Sequence, residues 1–129
     1  MDTREKIIDC ERAAVLVAQL RSQHATLKVI TGHFDVLTSE HVRRLREIAN
    51  GSAKLFIVVL DPPAPLLAAR ARAELVAGLA MVDYVVPAVE RTAGELLSRF
   101  AANEIVREES ADLLRSERLS QHVQRRNQQ

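Results

Sequence analysis

The stretch Leu55-Phe56-Ile57-Val58-Val59-Leu60 is apolar at every position and stops abruptly at Asp61-Pro62-Pro63. Successive side chains of a strand face opposite ways, so a strand apolar at both odd and even positions needs cover on both faces. A central strand of a parallel sheet, with helices above and below, has that cover. The rest of the chain reads as the neighbours of such a strand. From Asp9 to about Ser22, Ala13, Leu16, Val17 and Leu20 recur at helical spacing opposite Arg12, Gln19 and Arg21. Leu27 to Ile30 is a short strand ending at the Thr31-Gly32 turn. A second helix carries Val42, Leu45, Ile48 and Ala49 on one face, with Thr38 or Ser39 as N-cap and Gly51 just past its end. After the Asp61-Pro62-Pro63 stop, an Ala/Leu-rich helix is expected from about Pro65 to Ala80. Val82 to Val86 gives another strand, closed by Pro87. Thr92 with Glu95 has the spacing of a capping box, opening a helix through Leu96, Leu97 and Phe100. Asn103 to Arg107 offers a weaker strand, and Ser110 a cap for a last, more polar helix to about Arg125.

Strands alternating with helices imply a three-layer α/β domain with a parallel sheet of about four or five strands. The 129 residues suit one domain, 1–129, with 1–8 and 126–129 expected to fray. Aromatic residues make up 3% of the chain, so the core must come from Leu, Val, Ile and Ala. A net charge of +1 argues against a nucleic-acid binder. The basic residues Arg115, Arg118, Arg125 and Arg126 interleave with Glu117 and glutamines, the pattern of a solvated or partner-facing helix. Arg43, Arg44 and Arg46 fall on the solvated face of the second helix. Met1 to Asp9 is charged and lacks the apolar segment of a secretory signal, and no run of about 18 apolar residues could span a bilayer. The expectation is a cytoplasmic chain with no membrane partner. Cys10 has no second cysteine to pair with. His24 and His122 lack partners at metal-ligand spacing, so no metal site is expected.

In open parallel sheets, ligands bind beyond the carboxyl ends of the strands. Four loops therefore matter: 31–41, 61–65, 87–92 and 107–110. The first is the richest and reads Ile30-Thr31-Gly32-His33-Phe34-Asp35-Val36-Leu37-Thr38-Ser39-Glu40-His41. It resembles the opening of the cytidylyltransferase-like nucleotidyltransferases, such as glycerol-3-phosphate cytidylyltransferase and the nucleotidyltransferase half of bacterial heptose-phosphate enzymes, whose first strand runs into G-x-F-D-x-x-H-x-G-H. Gly32, Phe34, Asp35 and His41 stand at matching positions. Arg72-Ala73-Glu74-Leu75-Val76 followed by Val82-Asp83-Tyr84-Val85-Val86 is similar to the family's arginine-bearing helix and V-D-Y-V-V strand. The resemblance implies a Rossmann-like nucleotidyltransferase domain that moves a nucleotidyl group from CTP or ATP, with Mg²⁺, to a phosphorylated small molecule. It places His41 and Thr38 at the catalytic positions. The nucleotide side falls to Thr31, Gly32, His33, Phe34, Asp35, Asp61, Arg72 and Arg107. It also implies a homodimer, which the apolar faces of the Pro65–Ala80 helix would suit.

The departures from that pattern are chemical. Thr38 replaces the first motif histidine and cannot carry positive charge, whereas Glu40 replaces the motif glycine and brings negative charge and bulk. Asp61-Pro62-Pro63-Ala64-Pro65 lacks the family's lysine, and Arg107-Glu108-Glu109-Ser110 leads into no I-S-T-T-like signature. Several residues also have plainer roles: Asp35 as a local loop tie, Asp61 as a strand stop, Arg72 as a partner of Glu74 or Glu90, His33 as a partly exposed loop residue, and His41 as a partly buried remnant. Three readings stay open: an active nucleotidyltransferase, a nucleotide-binding pseudoenzyme, and a structural or interaction protein reusing the fold.

Overall fold

The computed structural model describes residues 2–51 and 54–127, with the side chains of Ser120 and 122–127 excepted. The roles expected of His122, Arg125 and Arg126 therefore lie outside the described residues. Helix α1 (Cys10–Ser22) leads into strand β1 (Leu27–Gly32), followed by α2 (Ser39–Ala49), β2 (Lys54–Val59), α3 (Ala69–Ala77), β3 (Tyr84–Pro87), α4 (Glu90–Leu97), β4 (Ile105–Arg107) and α5 (Glu109–Asn127). The four strands form one sheet in the order β3-β2-β1-β4, with every neighbouring pair parallel. The architecture is the expected Rossmann-like three-layer α/β fold.

Strand β2 is central, and its alternation sorts the core. Phe56, Val58 and Leu60 pack with Ala13, Val17 and Leu20 of α1 and with Ala93, Leu96 and Leu97 of α4. Leu55, Ile57 and Val59 pack on the opposite face with Leu45 of α2 and with Ala73, Val76 and Ala77 of α3. Cys10 is half-buried at the rim of the first cluster. Among the described residues, no helix is long and apolar enough to cross a membrane.

Three local expectations are corrected. The third helix begins at Ala69 rather than Pro65, because Asp35 takes the Leu66 and Leu67 N–H groups before the helix can start. Thr92 is not a cap: α4 starts at Glu90, and the Thr92 hydroxyl donates back to the Val89 carbonyl at 3.1 Å. Ser110 likewise lies inside α5, which starts one residue earlier. Of the N-terminal residues expected to fray, Met1 lies outside the described residues and 3–8 are seated instead. Thr3–Lys6 form a 3-10 turn, Ile7 bridges Val85, and the Ile8 N–H donates to the Val85 carbonyl at 2.9 Å. This covers part of the outer edge of β3, which would otherwise present unpaired backbone groups.

Candidate functional site

The carboxyl ends of β1 and β2 carry the cluster on which the sequence focuses attention. Leaving β1, the chain turns sharply because Phe34 adopts φ +54°, a left-handed conformation that costs an ordinary residue roughly 1–2 kcal/mol. The fully buried Phe34 ring holds the turn in place. It lies parallel to the His41 imidazole, with centroids 5.6 Å apart. The consequence is that the N–H groups of His33 and Phe34 converge on one acceptor, an arrangement of adjacent amides suited to anions. That acceptor is Oδ2 of Asp112, 2.8 Å from the His33 nitrogen and 3.3 Å from that of Phe34. The carboxylate presses so closely on Gly32 that a Cβ there would collide with Oδ2 and lie 3.0 Å from the Phe34 ring. Glycine is thus required at position 32 by the approach of Asp112, while the left-handed turn itself falls on Phe34.

The other Asp112 oxygen accepts from Arg115 at 2.8 Å and lies 3.6 Å from His41 Nε2. His41 is completely buried in the first turn of α2, which Thr38 caps by accepting the His41 backbone N–H at 3.2 Å. Its Nδ1 is 3.4 Å from the Val36 carbonyl, while Nε2 has no hydrogen-bond partner. Both ring nitrogens face acceptors, so the imidazolium would match the geometry. Burial nevertheless holds the His41 pKa below the ordinary histidine value; Asp112 opposes that shift and Arg115 reinforces it. Glu108, also buried, pairs with Arg44 and donates its backbone N–H to the Thr31 carbonyl at 2.8 Å.

Arg72 is 1% exposed and bound entirely to protein groups. Its Nε reaches the Leu67 carbonyl at 3.1 Å, and one terminal nitrogen reaches the carbonyls of His33 (3.0 Å) and Leu60 (2.9 Å). The other terminal nitrogen pairs with Asp61 rather than with Glu74 or Glu90. Arg72 therefore acts as a bracket tying the ends of β1 and β2 to the loop between β2 and α3. Asp35 ties the same loop, but across 31–32 residues of sequence rather than locally. His33 is buried, not partly exposed, with Nδ1 3.0 Å from the Leu60 carbonyl. A cleft of about 600 Å³ opens beside it, lined by His33, Asp61, Val89, Glu90, Arg107 and Glu109. Thr31 is buried in the sheet with its hydroxyl unpartnered, and Arg107 is exposed at the rim.

The structure thus brings Gly32, His33, Phe34 and His41 together around one point and joins Asp35, Asp61 and Arg72 in a bracket beside it. Thr38 serves as a helix cap. Among the described residues, no cluster of three His, Cys, Asp or Glu side chains is placed to hold a metal ion. Sequence reasoning missed Asp112, Glu108, Arg44 and Arg115. Arg44, exposed as expected of the solvated face, and Arg115 are also the partners of the two buried acids. One signal was present: Glu108 and Asp112 are four apart, which puts both on one helix face beside the ligand edge.

No family model matches the chain. It is 30% identical over 103 residues to the bifunctional protein HldE of Chromohalobacter salexigens and 31% identical over 101 residues to that of Hydrogenovibrio crunogenus. These matches take in 73% and 71% of this chain but 21% of each relative, so the chain spans about a fifth of the length of the curated relatives it matches. Together with the fold, this distant similarity supports a nucleotidyltransferase-like character.

Proposed function

We propose that the chain is a nucleotidyltransferase-like domain that binds a nucleoside triphosphate, CTP or ATP, without efficient turnover. The observation that carries this reading is the convergence of the His33 and Phe34 amides with the unpartnered His41 Nε2 at the carboxyl edge of the sheet. Such an arrangement attracts phosphate oxygens. The adjoining cleft leaves room for the rest of a nucleotide, with the His33 ring and Arg107 on its wall. Mg²⁺ would enter with the triphosphate rather than on a protein cluster, and Asp61, paired with Arg72, lies largely exposed at the same cleft.

Weak catalysis follows from where the remaining groups are committed. Thr38 is occupied as a cap, Arg72 is saturated by carbonyls and Asp61, and no lysine lies between β2 and α3. Loss of one preorganised donor typically lowers a rate by about 10²–10³, and here more than one is absent. Thermal unfolding with millimolar CTP or ATP and Mg²⁺ tests the reading, since a ligand of the native state must raise the Tm. The expected result is a rise with one nucleotide, lost in His41→Ala, and no pyrophosphate release above background. Rapid pyrophosphate release with a phosphorylated acceptor would restore the enzyme reading. No shift with any nucleotide would leave a domain that uses the fold for structure or partner binding.

A further inference from the structure

Asp112 raises a separate question, because an acidic side chain occupies the point where the loop is built to hold an anion. Its carboxylate is 2% exposed and contacts both convergent amides, Arg115 and the neighbourhood of His41 Nε2. A second observation marks the point as an oxyanion site beyond what Asp112 needs. His41 is fully buried and aims Nε2 at the carboxylate from 3.6 Å without a hydrogen bond, so the pocket holds one more polar group than Asp112 satisfies.

The element that carries Asp112 is fastened differently from the others. No described side chain of α5 belongs to either apolar cluster, and Leu113, Leu114 and Leu119 are exposed. Its first turn is held by Glu108 with Arg44 and by Asp112 with the amides and Arg115. Between α2 and α5 lies a cleft of about 700 Å³, walled by Arg43, Arg44, Arg115 and Arg118 together with Glu40 and Glu47. Lifting this turn exchanges polar contacts and exposes little of the apolar core.

We infer that Asp112 is an internal ligand of an oxyanion site, and that the first turn of α5 must move aside before a phosphate group can enter. This rests on the proposed nucleotide reading only for the identity of the larger ligand; the competition between Asp112 and phosphate stands on the cradle itself. When the carboxylate leaves, the two amides and His41 Nε2 become available together, while Arg115, three residues beyond Asp112 on the same helix, moves with α5. A site closed by its own side chain binds with an affinity reduced by the fraction of time it stands open.

The test is titration of inorganic pyrophosphate into the full chain and into Asp112→Ala, following the His33 and Phe34 amide resonances. The expected result is binding at least about tenfold tighter in the variant, with both resonances moving. Asp112→Asn, which keeps the volume and removes the charge, gives the same direction with a smaller gain and serves if the alanine variant does not fold. Equal affinity in the wild type and the folded variants overturns the inference, as does binding that leaves both amides unmoved or an absence of binding in every form. CTP and ATP titrations on the same proteins separate the two readings. Tighter pyrophosphate binding without nucleotide binding retires the nucleotide and keeps the internal ligand; nucleotide binding equal in all forms does the reverse.

Discussion

Helices α1 and α4 on one face of the sheet, and α2 and α3 on the other, are fastened by apolar side chains that alternate with the pleat of β2. Helix α5 follows β4 by a similarly short connection, yet its first turn is fastened by two buried carboxylates, two arginines and a pair of backbone amides. The two kinds of attachment fail differently. Apolar burial is undirected and tolerates small shifts, whereas a buried charge requires its partners in place and leaves a large penalty when one is removed. The scaffold can therefore stay rigid while one turn beside the candidate site exchanges partners.

The comparison is most severely tested at β2. Phe56→Ala removes a fully buried ring that contacts both Tyr84 and Phe100, and a loss of about 3–5 kcal/mol is expected in urea unfolding. The loss should be global, with amide protection falling in α1 and α4 together. If protection falls in α5 alone, the division between an apolar scaffold and an ionically held helix is wrong. Next in size is Gly32→Ala, whose Cβ would collide with Asp112. A loss of roughly 2–3 kcal/mol is expected, within the range for overpacking a tight site. Because the collision is with one side chain, Gly32→Ala combined with Asp112→Ala should be less damaging than the sum of the two. Simple additivity would mean that Asp112 does not press on the loop.

These contrasts also explain which parts were readable in advance. The β2 run, the α1 stripe and the Thr38 cap depend on residues within a turn or two of one another, so periodicity and capping chemistry reveal them. The start of α3 was misplaced because Asp35, more than thirty residues upstream, decides it. The Thr92 and Glu95 spacing suggested a cap, but Thr92 lies within the helix and its hydroxyl bonds to a carbonyl. The candidate site was half legible. The Gly32–His41 stretch identified the loop, whereas the group filling it comes from 79 residues downstream. Apart from its four-residue spacing from Glu108, nothing local in the sequence distinguishes Asp112 from the solvated acids of a polar helix.

A smaller effect sharpens the contrast through protons. Burial keeps the His41 pKa in the folded protein below its ordinary value of 6.5, so the unfolded chain takes up the proton first as the solution is acidified. Over that interval the unfolded state binds more protons, and stability should fall as pH drops through about 6.5, levelling off below the folded pKa. His41→Leu should flatten this part of the curve. Asp112→Asn should steepen it, because Asp112 is the largest of the influences raising that pKa, alongside Glu108 and the Val36 carbonyl and against Arg115. Urea unfolding at pH 7.5 and 5.5 measures both, and a wild-type slope unchanged in His41→Leu would assign the dependence to other groups.

The smallest expected effect concerns salt, and it separates the two attachments without any mutation. Raising ionic strength from about 0.01 M to about 1 M shortens the screening length from about 30 Å to about 3 Å. Apolar contacts are not weakened by that change, so hydrogen-exchange protection in α1 should hold. The first turn of α5 depends partly on Arg44, whose side chain is about half exposed while Glu108 is buried, so the pair is screened on one side only. Protection at Asp112 to Arg115 should fall by less than about 1 kcal/mol, the scale of a partly exposed ion pair. The loss should be smaller still in Arg44→Met, where that pair is already gone. If α1 and α5 respond alike, charge is not what holds the turn, and Asp112 would have to be fixed by the amide cradle alone.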